Sequence, residues 1–319
     1  MKIIVKDNFN TRIDLYLSEY FEDISRSKLS KLIKNKKLKV NNSFVKASYI
    51  VNKNDLIEIN LDDLEIKPIC PENLGLEILY QDEDIAIINK PAGIISHPTS
   101  TIRSNTVVNF LLYKFKHLSY LNGDERPGIV HRLDMGTSGL MIVALNDESM
   151  LRLKDMFQKR EIKKKYRAIV NFKFENTEYI IEKNIGRNLF NRKLMAVNNE
   201  DGKYAKTSFK VIKQNNEYAF IDINLHTGRT HQIRVHLAYI NHPILGDKDY
   251  NNNKNNFNIK NQLLQAYSLE LNHPISNRKL KIEIPMYPEF KKYYNIIFGG
   301  DNEESNFYTK SQQSKNGFN

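Results

Sequence analysis

Between Leu76 and Phe298 one pattern dominates the chain. Short, β-prone apolar runs (LEILY, IAIINK, LMIVAL, YRAIV, TSFKVIK, YAFIDINL) recur, some separated by turns as brief as KQNNE. Runs joined this closely pair as antiparallel neighbours. Helical spacing interrupts them at least twice. One segment covers Asp147 to Lys159 with Met150, Leu153, Met156 and Phe157 inward, and another begins near Thr230 with Ile233, Leu237 and Ile240 in phase. Strands and helices do not alternate regularly, which excludes a doubly wound sheet. The expected class is α+β, with a mainly antiparallel mixed sheet flanked by helices.

The first sixty residues follow a different plan. A helical stretch around Ile13, Leu17, Tyr20 and Phe21 leads into SRSKLSKLIKNKKL, where Leu29, Leu32 and Ile33 fall at i, i+3 and i+4. This spacing predicts a helix capped by Ser25 or Ser27, with Arg26, Lys28, Lys31, Lys34, Lys36 and Lys37 on solvated faces. LKVNNSFVK reads as a hairpin turning at Asn41-Asn42-Ser43. Residues 11–60 are therefore expected as a small α/β module. Its charge run is either a solvated face or, beside a tight turn in a basic chain, a grip for RNA phosphates through Arg26, Lys28 and Lys31. Pro68, Pro71 and local acidity mark 61–75 as a linker. The main domain is expected over 76–298, with a mobile Asn-rich loop at 251–262 and a disordered tail at 299–319.

Charge narrows the partners. Among 319 residues, 48 Lys and Arg stand against 37 Asp and Glu, a net +11 that favours a polyanion, with nucleic acid ahead of an anionic membrane. The single cysteine, Cys70, excludes an internal disulfide and a Cys-rich zinc site, and fits a reducing cytoplasm. The first apolar run is broken by charges and has no cleavage signal, and no run of eighteen apolar residues occurs. Neither export nor membrane spanning is expected.

Three segments concentrate polar residues between apolar runs: NKPAGIISHP (89–98), GIVHRLDMGTSGLMIVA (128–144) and LHTGRTHQIRVHLAYINHPILGD (225–247). Asp134 is the only carboxylate of the second. It is either a turn residue capping amides or a functional group on a loop between buried strands. The Gly136–Gly139 stretch is neither a P-loop nor a nucleophilic-serine elbow. Arg229 follows a tight turn at a helix entrance, from which it can reach inward. His231 and His236 are five apart and lack the glutamate of HExxH, so they suit capping, packing or RNA contact better than zinc. Lys90, before Pro91 and Gly93, reads as a strand edge and turn.

Together these segments resemble one family, the pseudouridine synthases of the RluA/RluD type. HRLDMGTSG resembles its HRLDxxTSG motif, TGRTHQIRVHLAYINHPILGD its TGRTHQxRxHxxxxxxPxxGD motif, NKPAG its KPxG motif and KKYRAIV its KxYxAxV motif. Residues 11–60 are similar to the ribosomal-protein-S4-like module that many members carry. PGIVHRLD, IGRNLFNRKLMAV and THQIRVHLAYINHP most resemble the group acting on 23S ribosomal RNA of the large subunit. The resemblance implies a pseudouridine synthase fold and isomerisation of uridine in RNA by a cytoplasmic monomer, with no metal, organic cofactor or energy source. Asp134 would be the catalytic aspartate, attacking the sugar C1′ or promoting a glycal, and Arg229 would pair with it. A nearby guanidinium offsets the cost of burying a carboxylate. Tyr166 would lie against the uracil with its hydroxyl placed for proton transfer at C5, and Ile233 would wall the other side. Arg132 would fill the gap left by the extruded nucleotide, with His131 and Lys90 also on the substrate side. Extrusion costs a few kcal/mol, least for poorly stacked bases.

Two departures stand out. Met135-Gly136 replaces a charged pair, and GDKDY runs into NNNKNN. A non-catalytic ribosome assembly factor and a synthase acting on tRNA or another rRNA site are the competing readings. The presence of Asp134, Arg229 and Tyr166 speaks against the first. A two-metal nuclease would need a carboxylate cluster that does not accompany Asp134.

Overall fold

The computed structural model describes residues 1–299 except 8, 22–23, 25, 60–67, 100–101, 192, 199 and 254–256, and leaves out the side chains of Ser27 and Lys28. The chain divides into two compact units, Met1–Pro68 and Ile69–Asn319. Among the described residues no helix is long and apolar enough to cross a membrane.

The first unit contains β1 (Lys2–Ile4), α1 (Ile13–Tyr20), α2 (Arg26–Lys34), β2 (Leu38–Val40) and β3 (Leu56–Ile59), with sheet order β1-β3-β2. Ile13, Leu17, Leu29 and Ile33 from the helices bury against Val40 and Ile57 of the sheet. The expected hairpin is confined to its turn. Val40 bridges Ser43 across the Asn41-Asn42 turn, but the strand that pairs with β2 is β3, some fifteen residues further on. Asn41 explains this: its side chain accepts from Leu56 N and donates to Asp55, tying the turn to β3. Of the two candidate caps, Ser27 falls inside α2 and Ser25 lies outside the described residues, as does the Lys28 side chain.

The second unit is built on one nine-stranded sheet. Its strands are β4 (Glu77–Gln81), β5 (Ile85–Lys90), β6 (Ser138–Ala144), β7 (Lys163–Asn171), β8 (Glu178–Glu182), β11 (Lys206–Gln214), β12 (Tyr218–Leu225), β13 (Leu264–Asn272) and β14 (Lys279–Glu283). A separate two-stranded sheet pairs β9 (Ile185–Arg187) with β10 (Met195–Val197). The helices are α3 (Val107–Lys114), α4 (Asp147–Lys159), α5 (Gln232–Tyr239) and α6 (Pro288–Phe298). The large sheet runs β4-β5-β6-β13-β7-β12-β11-β8, with β14 also on β13, and only β13 with β6 is parallel. This is the α+β, mainly antiparallel architecture that the short runs imply.

Alternation along each strand builds two cores. Ala86 and Ile88 face one, with Tyr166, Ala168 and Ile233, while Ile85 and Ile87 face the other, with Met150 and Leu153 of α4. At the centre, Ala266 of β13 is opposite both Gly139 of β6 and Tyr166 of β7, so the strand after Asp134 lies close to Tyr166. Only glycine fits at 139: its φ is +121° and a Cβ would lie 2.1 Å from the Ala266 carbonyl oxygen.

The loop at 251–262, expected to be mobile, is fastened at both described ends. Asn251 donates to Asn171 and the Ile244 carbonyl, and Ile259 and Gln262 are buried. The predicted tail from 300 onward and the linker over 61–67 lie outside the described residues.

Candidate active site

Asp134 is on the loop entering β6, and both its neighbours are pinned. Ser96 Oγ donates to the Leu133 carbonyl at 2.8 Å and accepts from Leu133 N at 3.1 Å. On the other side, the Met135 carbonyl accepts from Gly93 N at 2.8 Å and Lys90 Nζ at 3.2 Å, and Thr137 N closes a turn on the Asp134 carbonyl. The carboxylate is thus carried by a fixed backbone, mostly withdrawn from solvent.

The arginine at this carboxylate is Arg234, not Arg229. Arg234 Nη1 is 3.3 Å from Asp134 Oδ2, while Nε and Nη2 make a bidentate pair with Asp247 at 2.7 and 2.8 Å, and Nη2 also reaches Asp249 at 2.6 Å. The guanidinium packs 4.9 Å from the Tyr250 ring centroid. Burial works against its charge, but Asp247, Asp134 and Asp249 outweigh that and raise its pKa. His231 adds a second edge, with Nε2 3.9 Å from Asp134 Oδ1 and Nδ1 2.8 Å from the Tyr250 hydroxyl. Burial lowers the imidazole pKa, with Asp134 opposing.

Local chain geometry explains the exchange of arginines. Gln232 accepts from Arg229 N and Thr227 Oγ1 and donates to Lys206 O and Thr207 Oγ1, which locks the turn before α5. His231, at φ 56°, then swings the chain into the helix. Arg234 is turned to the interior, and Arg229 is left on the rim, where its Nε donates to Tyr204 O at 3.0 Å. His236 uses both ring nitrogens on Thr207 and Lys183 O, so it and His231 share no centre.

Around Asp134 opens a cavity of about 550 Å³, whose wall includes Arg132, Tyr166, Arg229 and Ile233. Tyr166 and Ile233 are buried in that wall and Arg132 is exposed. Burial, reinforced by Asp134, raises the Tyr166 pKa, so its hydroxyl keeps its proton at neutral pH. Arg160, Lys164 and Arg229 add positive charge to the wall, whereas Asp134 is its only carboxylate among the described residues. A second hollow of about 350 Å³ shares Arg132, Asp134 and Arg234, and adds Lys248 and Lys260.

Two expected substrate contacts have other roles. Lys90 has no exposed surface and does not line either cavity; its ammonium donates to the carbonyls of Pro91, Ile94 and Met135. Burial pushes its pKa down to about 7, while the charge of Asp134 pulls the other way. His131 reaches the cavity wall, but its Nε2 accepts from Ile142 N at 3.0 Å and its ring packs on Phe157. Burial, and then Lys164, lower its pKa to about 3, so it supports the wall as a neutral ring.

The two departures from the family motifs meet in space. A Cβ on Gly136 would lie 2.1 Å from Gln262 Oε1, and Gln262 Nε2 donates to Thr137 at 3.2 Å. Glycine beside Asp134 makes room for the last residue of the Asn-rich loop.

In the first unit, Arg26 is committed in part to its own fold. Its Nε donates to Asp14 at 2.9 Å, and Arg12 grips the same buried carboxylate from the other side. Both arginines remain about half exposed, at 48% and 44%. Lys31 is on the exposed side of α2, and Phe44 is exposed with Lys36 and Lys39 at 5.8 and 5.2 Å from its ring centroid.

Residues 84–239 match the RNA pseudouridylate synthase family and residues 11–57 match the S4 domain. The ribosomal large subunit pseudouridine synthase D of Borreliella burgdorferi is 37% identical over 314 residues, which is 97% of this chain and 93% of the relative. The chain belongs to the RNA pseudouridine synthase family. This pseudouridine synthase, an isomerase by its family, is also similar to an uncharacterized RNA pseudouridine synthase of Aquifex aeolicus, at 37% identity over 90% of this chain and 93% of the other. Human RNA Pseudouridylate Synthase Domain Containing 1 shares the fold. Its TM-score is 0.57 at 21% identity, with 77% of this chain and 98% of that one covered.

Missing from the sequence-based site were Arg234, Asp247, Tyr250 and Lys164. Arg234 and Asp247 are in the quoted TGRTHQ motif, and Lys164 opens the quoted KKYRAIV. The signal for Arg234 and Asp247 is that they are the second Arg and the one Asp of TGRTHQIRVHLAYINHPILGD.

Proposed function

We propose that this synthase converts uridine to pseudouridine in 23S ribosomal RNA of the large subunit, with Asp134 acting at the sugar C1′. The observation that carries the reading is a carboxylate, the only one lining the cavity among the described residues, held by Arg234 among cationic side chains and walled by Tyr166 and Ile233. The naming of relatives as ribosomal large subunit pseudouridine synthase D supports the choice of RNA.

The reaction balances within the nucleotide. The N1–C1′ bond breaks, the uracil turns, C5 bonds to C1′, and the proton leaving C5 is matched by one gained at N1. Asp134 acts at C1′ by attacking it or by promoting a glycal, and Arg234 keeps the carboxylate in place. Tyr166 supports the uracil face, and its neutral hydroxyl can relay the C5 proton, giving up its own toward N1 as it takes the one leaving C5, while Ile233 closes the opposite side. Arg132, Arg160 and Arg229 suit the phosphates around an extruded nucleotide. In the first unit, Arg12, Arg26 and Lys31 offer a separate basic surface, with Phe44 for base stacking.

The test is pseudouridine mapping in total RNA from source cells with and without the protein. Loss of one or a few sites in large-subunit rRNA, regained on re-expression, is the expected result. An unchanged map would contradict the activity, and loss confined to tRNA would overturn the choice of 23S rRNA.

A further inference from the structure

Three consecutive lysines begin β7, and the pleat separates them. Lys163 and Lys165 face one way and meet carboxylates of neighbouring strands: Glu270 of β13 at 3.1 Å and Asp222 of β12 at 3.5 Å. Lys164 faces the other way with Tyr166, into the wall of the Asp134 cavity. Among the described residues its Nζ has no hydrogen bond or ion pair; it lies over the Phe157 ring, 5.3 Å from the centroid. On the facing turn, a Cβ at Gly228 would come 3.9 Å from this Nζ. The ammonium is therefore set between an aromatic ring and the Thr227-Gly228-Arg229 turn, open to the cavity.

A partly desolvated cation without an acceptor is costly, and burial pushes the Lys164 pKa down to about 8. An anion entering the cavity relieves that cost. We propose that Lys164 binds the phosphate adjoining the target uridine, an inference that rests on the RNA substrate given above. A phosphate suits this position better than a uracil carbonyl for two reasons. A compact ammonium gains most from a full negative charge. Two residues along a strand, about 6.6 Å, also separate Lys164 from Tyr166, which offsets the charge from the base-stacking ring toward the nucleotide backbone.

The test uses the full-length protein, as wild type, Lys164→Met and Lys164→Arg, with RNA containing the mapped uridine. Three RNAs are compared: all-phosphate, and single neutral methylphosphonates on the 5′ or the 3′ side of that uridine. Lys164→Met is expected to weaken binding of the all-phosphate RNA roughly ten- to a hundredfold, with Lys164→Arg recovering much of it. One methylphosphonate should cost wild type a similar factor and cost Lys164→Met little more. Unchanged wild-type binding to both methylphosphonate RNAs would overturn the proposal without reference to any variant. Additive losses for Lys164→Met on both, as expected for contact with a uracil carbonyl, would also overturn it. Wild-type conversion of the all-phosphate RNA separates these failures from failure of the functional reading itself.

Discussion

Arg234 shares one guanidinium between two tasks, with Nε and Nη2 on the buried carboxylate of Asp247 and Nη1 3.3 Å from Asp134. The fork anchors in the protein and leaves one edge for the site. A lysine cannot do both, because it lacks the planar geometry. Arg234→Lys is expected to lose most of kcat, whereas Arg229→Lys should keep kcat and shift affinity slightly. Steady-state kinetics on the mapped RNA checks both. Arg234→Ala strands a buried carboxylate and should destabilise the protein by about 3–5 kcal/mol, seen in denaturant melts.

Lys90 gives the reaction an alkaline limit. Its ammonium has three hydrogens for three carbonyls, one of them that of Met135 beside Asp134. Burial has moved its pKa down to about 7, so the charge is present below that pH and is lost as pH rises through it. The neutral amine has two hydrogens for three acceptors, and the Asp134 loop loosens. At saturating RNA, kcat should fall above about pH 7. Lys90→Met should have a lower kcat throughout and no such limb. Because Lys164 is assigned to affinity, its own titration near 8 should appear in KM.

Gly139 tests the sheet geometry beside the site. With φ +121° and the Ala266 carbonyl 2.1 Å from any added Cβ, Gly139→Ala must push β6 away from β13. A loss of about 2 kcal/mol or more is expected in thermal or denaturant unfolding. An unchanged Tm would show that this approach is not fixed.

The N-terminal module should act through phosphates. Arg26→Gln with Lys31→Gln and Lys34→Gln leaves Arg12 bonded to both carboxylate oxygens of Asp14. RNA affinity should fall, and the slope of log K against log salt should drop by roughly 0.7 to 0.9 per lost contact. Identical slopes would make these residues a solvated face only.

How much of this was legible in the sequence depends on whether a residue's partner was local. The strand runs and α4 were readable because period 2 and period 3.6 are written into consecutive residues. The β2 partner was not, because it lies beyond a turn whose Asn41 bonds to Leu56. Asp134 and Tyr166 came through motifs. Choosing between Arg229 and Arg234 required the left-handed His231, which spacing does not reveal. Lys90 leaves a usable trace: it continues the Ala86, Ile88 alternation into the core. Lys164 left a similar one, in phase with Tyr166.

Asp134→Asn is the most direct test, because it keeps the shape of the side chain and removes its charge. Purified wild-type and variant proteins are incubated with the mapped RNA, and pseudouridine is counted alongside binding. The variant should bind within a few fold of wild type and form no pseudouridine. Turnover by the Asn variant at more than about one per cent of the wild-type rate would mean that Asp134 is not the group that acts at C1′.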